Sequence, residues 1–338
     1  MITIKDVARE TGFGVATVSK ALNNYSDISQ KTKELIRAKA KEMGYIPNAS
    51  GRSLVTKSTF TIGLIFEERT NLGLTHPFFS EILEKIKKAL EEKNYDILLI
   101  SKKIGSYVET YLEHCIQKAV DGVIVVTRLI DNLQFEKLYN SDLPIVYVDL
   151  DTDKTCVFTD NYQSIVDAVE YLYKRGHREI GIIQGATTYN PGYDRYRAYR
   201  DTMNRLGLKM NPQHILYCKD YQIENAVNEI DKMYKNKIKL PTAFVTTGDM
   251  MAIGAIQAVQ KNGGRVPEDV SIIGFDNILL SSHILPKLTT IAQNYELIAK
   301  TAVQLLLNLI RNPEMEPKRV VIPSKIIERD SVCDINNR

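Results

Sequence analysis

From Thr59 onward, short β-branched runs alternate with longer amphipathic stretches, and this alternation restricts the possible folds more than any other feature. The apolar runs predict buried strands at 61–66, 95–101, 122–127, 145–149, 180–184, 243–247 and 271–275. Helical periodicity predicts helices near 78–93, 108–119, 161–175, 193–206, 222–235, 250–262 and 295–311, before a last strand at 320–322. Repeated βα units predict doubly wound parallel sheets. Two successive sets of such units predict two similar lobes.

The first 23 residues have a different pattern, which fits two short amphipathic helices around a tight turn. Thr3 and Asp6 have the spacing of a capping box. The glycines of Thr11-Gly12-Phe13-Gly14 allow a sharp turn. The second helix would bury Val18, Ala21 and Leu22. This pattern predicts a helix-turn-helix whose second helix enters a DNA major groove, although an ordinary helical hairpin fits the helix pattern equally well.

The opposite face of the second helix carries short, polar or basic side chains, as a helix lying against DNA requires. The candidates for contacts with base edges are Val15, Ala16 and Lys20, and those for phosphate contacts are Thr17, Ser19 and Asn23. A third helix is predicted from Ser29 to Met43, with an apolar stripe formed by Leu35, Ile36, Ala40 and Met43. Three such helices would make a small headpiece with little core.

The charge distribution supports a nucleic-acid partner at this end of the chain. Residues 1–58 hold 10 Lys and Arg against 5 Asp and Glu, whereas the remaining residues hold 34 against 36. Clustered positive charge is typical of surfaces that bind phosphate backbones, although it also occurs on solvated faces without a partner.

Several classes of chemistry find no support in the sequence. Cys115, Cys156, Cys218 and Cys333 are scattered and form no metal-ligand spacing. No targeting segment and no long apolar run is evident, so we expect a cytoplasmic protein without membrane contact. Gly12-Phe13-Gly14 lacks the third glycine and the preceding strand of a dinucleotide site. Because no nucleophile–base pair stands out either, we expect the chain to bind ligands and not to catalyse a reaction, with no cofactor.

The motifs of the N-terminal region resemble a known family. T-I-K-D-V-A-R-E-T-G-F-G-V-A-T-V-S-K-A-L-N, then I-S-Q-K-T, G-Y-I-P-N and R-S-L, is similar to the headpiece of the LacI/GalR family of bacterial repressors. R-V-P-E-D-V-S-I-I-G-F-D-N and I-E-R-D-S-V extend the resemblance through the core. It implies an all-α helix-turn-helix headpiece (1–46), a hinge (47–58) and two α/β lobes of the periplasmic-binding-protein-like type. The lobes would comprise 59–160 with 291–319, and 161–290 with 320–333.

The resemblance assigns a role to Leu54, the single large apolar residue of the polar stretch 47–58. It matches the hinge leucine that wedges into the minor groove in family members, where an apolar side chain unstacks a base step. Asn48 and Arg52 are further candidate DNA contacts. Gly51 stands where most relatives have Ala, which lowers the helix propensity of this hinge. Leu54 could instead pack on the core.

Candidate effector residues follow the predicted strands, where doubly wound sheets bind ligands. They are Phe78, Phe79, Asp160, Arg195, Tyr221, Asp249 and Asp276. Carboxylates and an arginine can clasp vicinal hydroxyls, and aromatic rings can cover a sugar face. The resemblance implies effector contacts at Asp276, Arg195, Asp160 and Phe79, and more loosely at Tyr221. Gly248 stands where sugar-binding relatives often have Asn.

Each candidate also has a purely structural interpretation. Asp249 could cap the helix that follows it and Asp276 could cap a turn, while Phe78 and Phe79 could pack within a lobe and Tyr221 could be structural. The sequence leaves these alternatives open.

The resemblance implies a homodimeric repressor of a carbohydrate-use operon that binds palindromic operator DNA and answers to a small effector, most simply a sugar. Open alternatives are a purine-type corepressor, control by a phosphorylated partner protein, and a solute-binding protein of transport.

Overall fold

The computed structural model describes residues 2–46, 58–67, 73–101, 103–104, 107–108, 110–127, 133–185 and 190–336. It divides into two compact units, Met1–Thr61 with Ala119–Asp121, and Ile62–Lys118 with Gly122–Arg338. The predicted DNA contacts Asn48, Arg52 and Leu54, together with the rest of 47–57, lie outside the described residues.

The N-terminal unit contains the three predicted helices. They are α1 (Ile4–Thr11), α2 (Val15–Leu22) and α3 (Gln30–Glu42). Their shared core is small, which follows from the length of the unit. It consists of Val7, Ala8, Val18, Ala21, Ile36 and Ala40. The all-α headpiece is therefore confirmed as a helix-turn-helix.

Local sequence signals set the ends of these helices. The Asp6 carboxylate accepts the backbone N–H of Thr3 at 2.9 Å, so the carboxylate half of the predicted capping box is formed. Gly12 turns the chain with a φ of 73°, a conformation that favours glycine. At the start of α3, the Ser29 hydroxyl accepts the N–H of Thr32 at 3.2 Å. The helix boundaries therefore follow from short-range chemistry.

One part of the predicted apolar stripe of α3 is wrong. Leu35 is 49% exposed, and the helix buries Lys33 together with the predicted Ile36 and Ala40. At 100° per residue, Leu35 projects about 100° away from Ile36, so it leaves the buried face. Lys33 can take the buried position because a long aliphatic stem can pack while its ammonium group reaches a polar partner.

The second unit contains two six-stranded sheets. The strands of the first are β1 (Thr61–Glu67), β2 (Asp96–Leu99), β5 (Gly122–Thr127), β6 (Ile145–Val148), β7 (Cys156–Thr159) and β13 (Arg319–Ile322), in the order β13-β7-β6-β5-β1-β2. The strands of the second are β8 (Ile180–Gln184), β9 (Ile215–Tyr217), β10 (Ala243–Thr246), β11 (Ser271–Asp276), β12 (Thr289–Ala292) and β14 (Lys325–Ile327), in the order β14-β12-β11-β10-β8-β9. Among the described pairings of these sheets, β12 with β14 is antiparallel and the others are parallel. The predicted α/β class with two parallel-dominated sheets is confirmed.

Helices cover the sheets. In chain order they are α4 (Pro77–Glu91), α5 (Tyr111–Gln117), α6 (Leu133–Tyr139), α7 (Asn161–Lys174), α8 (Asn190–Arg205), α9 (Ile223–Lys235), α10 (Asp249–Lys261) and α11 (Tyr295–Arg311). The first sheet packs against α4 and α11 in one apolar core. In the second sheet, one face packs on α7 and α8 and the other on α9 and α10. Because both faces of the second sheet are covered, its strands read as continuous apolar runs.

The chain passes between the sheets three times, after Thr159, after Ala292 and after Ile322. The predicted assignment of 320–322 to the second lobe is wrong, because Val320 and Ile322 pair with Val157 and Thr159 of the first sheet. The predicted lobe boundary between 290 and 291 falls two residues early, since β12 continues in the second sheet to Ala292. The remaining domain boundaries stay predictions.

Short elements were missed or misplaced by the sequence pattern. Lys103–Ile104 (β3) and Tyr107–Val108 (β4) form a small antiparallel pair between the predicted strand 95–101 and the helix predicted from about 108. The helix begins at Tyr111, after Thr110 and Glu113 form a capping box. The helix α6 and the strands β9, β12 and β14 were not predicted. In the part of the chain that the structure describes, no helix has the length and apolar character needed to span a bilayer.

Candidate functional site

The helix α2, which the sequence predicts to be the recognition helix, presents the predicted DNA-contact residues on one side. Val18 and Ala21 face the headpiece core, whereas Val15 is 42% exposed. Ala16 and Lys20 are exposed as well, and Thr17, Ser19 and Asn23 are half-buried. The helix therefore has a solvent-facing side composed of the residues that the sequence selected. Their contacts with DNA stay a prediction.

Two of these side chains already have partners within the headpiece. The ammonium group of Lys20 lies 2.5 Å from a carboxylate oxygen of Asp27, a residue of the loop after α2. The side-chain amide of Asn23 donates to the carbonyl of Ser19 at 2.9 Å. A contact of Asn23 with phosphate would therefore compete with the end of α2, and a contact of Lys20 with DNA would compete with Asp27.

In the second unit, the predicted effector residue Arg195 is fully buried. Its guanidinium donates to the side chain of Asn161 at 2.8 Å and to the carbonyl of Thr247 at 2.7 Å. The same group lies over the ring of Phe275 at 3.6 Å from the centroid. Arg195 therefore joins the start of α7 and the end of β10 above strand β11, at the carboxyl edge of the second sheet.

Asp276 lies at the same edge, at the end of β11, with a φ of 116°. Its carboxylate accepts the side-chain N–H of Gln293 at 2.7 Å, and its backbone carbonyl accepts the hydroxyl of Tyr295 at 2.7 Å. The side-chain oxygen of Gln293 in turn accepts the hydroxyl of Thr159. Because Thr159 ends β7 of the first sheet, this chain of hydrogen bonds, here called the crossing network, connects the two sheets where the backbone passes between them.

Asp249 has a different environment from the one predicted. Its carboxylate is fully buried and accepts the hydroxyl of Thr290 and the N–H of Ile278, the latter at 2.9 Å. Burial, with the nearby charge of Asp276, raises the pKa of Asp249 well above its usual range. The residue before α10 that acts as N-cap is Gly248 and not Asp249. The structure thus gives Asp249 a structural role, tying β12 to the segment that follows β11.

Asp160 occupies the first crossing. Its carboxylate accepts the N–H of Gln163 at 2.9 Å and so caps α7, while its own N–H donates to Ile322 at 2.9 Å. Asp160 therefore lies near the predicted site, but its carboxylate already caps α7 and its backbone N–H already bonds to the strand that ends at Ile322.

The aromatic candidates separate into two groups. Phe78 and Phe79 are 3% and 4% exposed within the core of the first lobe, where their centroids lie 5.8 Å from Tyr295 and 4.8 Å from Phe66, respectively. This environment matches the alternative interpretation, packing within a lobe. Tyr221 is half-buried at the carboxyl edge of the second sheet.

The position of Tyr221 explains a departure from the family pattern. A β-carbon added at Gly248 would lie 3.0 Å from a ring carbon of Tyr221, and one added at Gly185 would lie 2.7 Å from the same ring. Gly185 and Gly248 therefore leave room for an aromatic ring. In this chain the tyrosine occupies space where an asparagine side chain at position 248 would have to fit.

Other polar residues at the same strand ends escaped the sequence analysis. Gln184, the last residue of β8, is 1% exposed, and its amide has no hydrogen-bond partner among the described residues. Asp149 follows β6 with a φ of 59° and is 4% exposed. Thr247 and Gln293 follow β10 and β12. These four residues share one sequence feature by which they could have been found, which is their position at the end of a strand. Among the described residues, no group of three or more His, Cys, Asp or Glu side chains could hold a metal ion.

Comparison with known proteins identifies both parts of the chain. Residues 3–48 match the model for bacterial regulatory proteins of the lacI family, and residues 169–332 match the periplasmic binding protein-like domain. An HTH-type transcriptional repressor PurR from Yersinia enterocolitica is 32% identical over 344 aligned positions, which cover 99% of this chain and 98% of the relative.

Solved structures show the same architecture. A transcriptional regulator CelR–cellobiose complex aligns with a TM-score of 0.71 and 26% identity, covering 98% of this chain and 100% of that one. The lac repressor dimer bound to operator and the anti-inducer ONPF aligns with a TM-score of 0.83 at 24% identity, covering 98% and 99%. The chain therefore belongs to the LacI family and is a DNA-binding transcriptional regulator.

Proposed function

We propose that this regulator is a homodimeric repressor that binds palindromic operator DNA through α2 and is controlled by a small ligand at the carboxyl edges of the two core sheets. The observation that carries the ligand site is the crossing network, in which Thr159 of the first sheet reaches Asp276 of the second through Gln293. Asp276 and Arg195 belong to the second lobe, so a ligand beside them would lie next to the hydrogen bonds that join this lobe to the first.

Such a site would act on DNA binding through linkage. A ligand that binds one arrangement of the two lobes more tightly than another shifts the population towards that arrangement, by no more than its differential affinity. If operator binding prefers one arrangement, the ligand changes operator affinity by the same coupling free energy. The sign of this coupling separates an inducer from a corepressor.

The ligand class that we favour is a sugar. Arg195 and Asp276 supply charged hydrogen-bonding groups, and Tyr221 supplies an aromatic surface beside Gly185 and Gly248, a combination suited to hydroxyls around an apolar ring face. The similarity to a regulator solved with cellobiose supports this choice. A purine is the second candidate, since an aromatic ring can also stack on a nucleobase and PurR is a relative over nearly the full length.

The deciding experiment is a thermal-shift panel of sugars, sugar phosphates and purine bases on the full chain. A ligand that binds only the folded core should raise the melting temperature. The same ligand should then change the dissociation constant for a duplex that the wild-type protein selects from a randomised pool. Arg195→Ala and Asp276→Ala should lose this response while retaining DNA binding, and a response kept by both variants would refute the site.

If no small molecule in the panel shifts the melting temperature, the effector proposal fails for these classes. Binding of a phosphorylated partner protein in the absence of any sugar effect would then replace it.

A further inference from the structure

The loop after the recognition helix contains an acidic residue in contact with a predicted base reader. Lys20 projects from the exposed side of α2, and its ammonium group lies 2.5 Å from a carboxylate oxygen of Asp27. Both side chains remain about half exposed, at 47% and 52% of their full area. A carboxylate next to a surface meant for phosphates is electrostatically unfavourable, so its presence there needs a reason.

The pair is not required to hold the loop in shape. Asn24 takes the left-handed conformation with a φ of 62°, and α3 anchors it from the other side. Lys33 donates to its carbonyl at 3.5 Å, and Arg37 donates to its side chain at 3.2 Å. Backbone bonds from Tyr25 to Lys20 and from Ile28 to Tyr25 complete the turn. The loop therefore has its own supports, and Asp27 can be exchanged without loss of these contacts.

The charges around Asp27 favour its ionised form. The hydrogen bond from Lys20 lowers the pKa of Asp27, and the charge of Lys33 acts in the same direction. The same hydrogen bond raises the pKa of Lys20. Both groups are thus charged at neutral pH, and a DNA phosphate that approaches Lys20 must displace Asp27 and then lie near its carboxylate.

We propose that Asp27 is a specificity-determining residue of the DNA interface, whose carboxylate competes with phosphates for Lys20 and so weakens binding to random DNA more than binding to the operator. A guanine edge that accepts two hydrogen bonds from Lys20 offers a fixed acceptor and offsets the loss of Asp27. A phosphate on random DNA offers only charge, which Asp27 already supplies. This inference rests on the proposed role of α2 in reading the operator.

The test measures the affinity of the full-length protein for random-sequence duplex DNA as a function of salt. Asp27→Asn should bind random duplex about two- to fivefold more tightly, the range expected for an exposed ion pair. The slope of log affinity against log salt should steepen by about 0.9, because one more phosphate is neutralised. Affinity for the duplex selected by the wild-type protein should rise less, so that the ratio of specific to random binding falls.

Glu42→Gln is the matched control. Glu42 is an exposed acid of the same headpiece that pairs with Lys39 at 2.9 Å, so the substitution changes the net charge equally at another place. Equal effects of Asp27→Asn and Glu42→Gln on random DNA would overturn the proposal, since net charge alone would then explain them.

A double-mutant comparison decides whether the effect passes through Lys20. In a Lys20→Ala background, Asp27→Asn should have no more effect than Glu42→Gln, whereas an undiminished effect would overturn the proposal. Both comparisons use random DNA, so they test the role of Asp27 without requiring that α2 reads an operator. Failure of the wild-type protein to select any sequence from the pool would instead count against the proposed reading of an operator by α2.

Discussion

The recognition helix and the crossing network both concentrate polar side chains, but they hold them in opposite environments. On α2, Val15, Ala16 and Lys20 are exposed, and the ammonium group of Lys20 pairs with the exposed carboxylate of Asp27. In the core, Arg195 is completely buried and Gln293 nearly so, and each has two hydrogen-bonding partners in the protein. Buried polar groups are costly unless they are paired, whereas exposed ones exchange their partners with water.

This difference teaches how each region can be changed. Substitutions on α2 should alter binding with little effect on folding. Substitutions in the core site should alter folding and ligand response together, because the same hydrogen bonds serve both. Measurements of unfolding can therefore separate the two regions.

The largest effect is expected for Arg195→Ala. It leaves the side-chain oxygen of Asn161 and the carbonyl of Thr247 buried without this donor. We expect a loss of about 4 kcal/mol in the free energy of unfolding, from two buried acceptors left unsatisfied. Denaturant titration of the full chain measures it. Arg200→Ala, on the same helix but exposed beside Asp201, should leave the midpoint unchanged. A loss that is equally small in both variants would remove the contrast between the regions.

The next effect concerns two adjacent residues of α3. Ile36 is fully buried in the headpiece core, whereas Leu35 is 49% exposed. Ile36→Ala should cost about 3 kcal/mol of headpiece stability, and Leu35→Ala should stay within about 0.5 kcal/mol. Hydrogen exchange of the α3 amides in the full-length protein reports both values. Similar costs at the two positions would show that the exposed side of the headpiece is not independent of its core.

A third effect is a change in pH dependence. Because the pKa of Asp249 is raised in the folded state, its carboxyl ionises at lower pH in the unfolded chain. Its contribution to wild-type stability should therefore fall as pH rises above about 4, the ordinary pKa of an aspartate. Asp249→Asn should remove this contribution. The unfolding midpoint of the variant should therefore not show this decline with pH, and the variant should become more stable relative to the wild type as pH approaches neutral.

Asp231 supplies the control of opposite sign for that measurement. The hydrogen bond from Lys261 lowers the pKa of Asp231, so its contribution is present at neutral pH and is lost as pH falls. Parallel pH profiles for Asp249→Asn and the wild type would mean that Asp249 does not titrate as an isolated buried acid.

The smallest effect on folding is expected for Lys20→Ala, because both members of its ion pair are exposed. The unfolding midpoint should not change. Affinity for the selected duplex should nevertheless fall roughly tenfold or more, as for the loss of one base-edge contact, with a smaller loss on random duplex. Gel-shift titrations on the two duplexes measure the difference, and equal losses on both would assign Lys20 to phosphate contacts.

Much of the fold was predictable because its signals are local. The three headpiece helices follow from caps, glycines and apolar spacing, as at Thr3, Asp6 and Gly12. Most strands were found because parallel sheets covered on both faces need continuous apolar runs. The short strand Thr289–Ala292 escaped this rule, because two of its four residues are threonines and it does not read as a continuous apolar run.

The candidate site was predictable in position and only partly in detail. Residues after apolar runs did gather at the sheet edges, as at Arg195 and Asp276. Their individual roles depended on neighbours far away in the sequence. Asp249 became a buried structural acid because Thr290 comes from β12 and Ile278 from the segment after β11. Phe78 became a core residue because Tyr295 of α11 packs against it.

The sequence by itself determined most of the secondary structure, the two-part organisation and the exposed side of α2, because short-range periodicity and capping decide them. Only the tertiary structure decided that Gln293 joins Thr159 to Asp276, that Tyr221 fills the space beside Gly248, and that Leu35 leaves the core while Lys33 enters it. Hydrogen bonds and packing between residues separated by tens to more than a hundred positions depend on how the sheets and helices assemble, which no local pattern records.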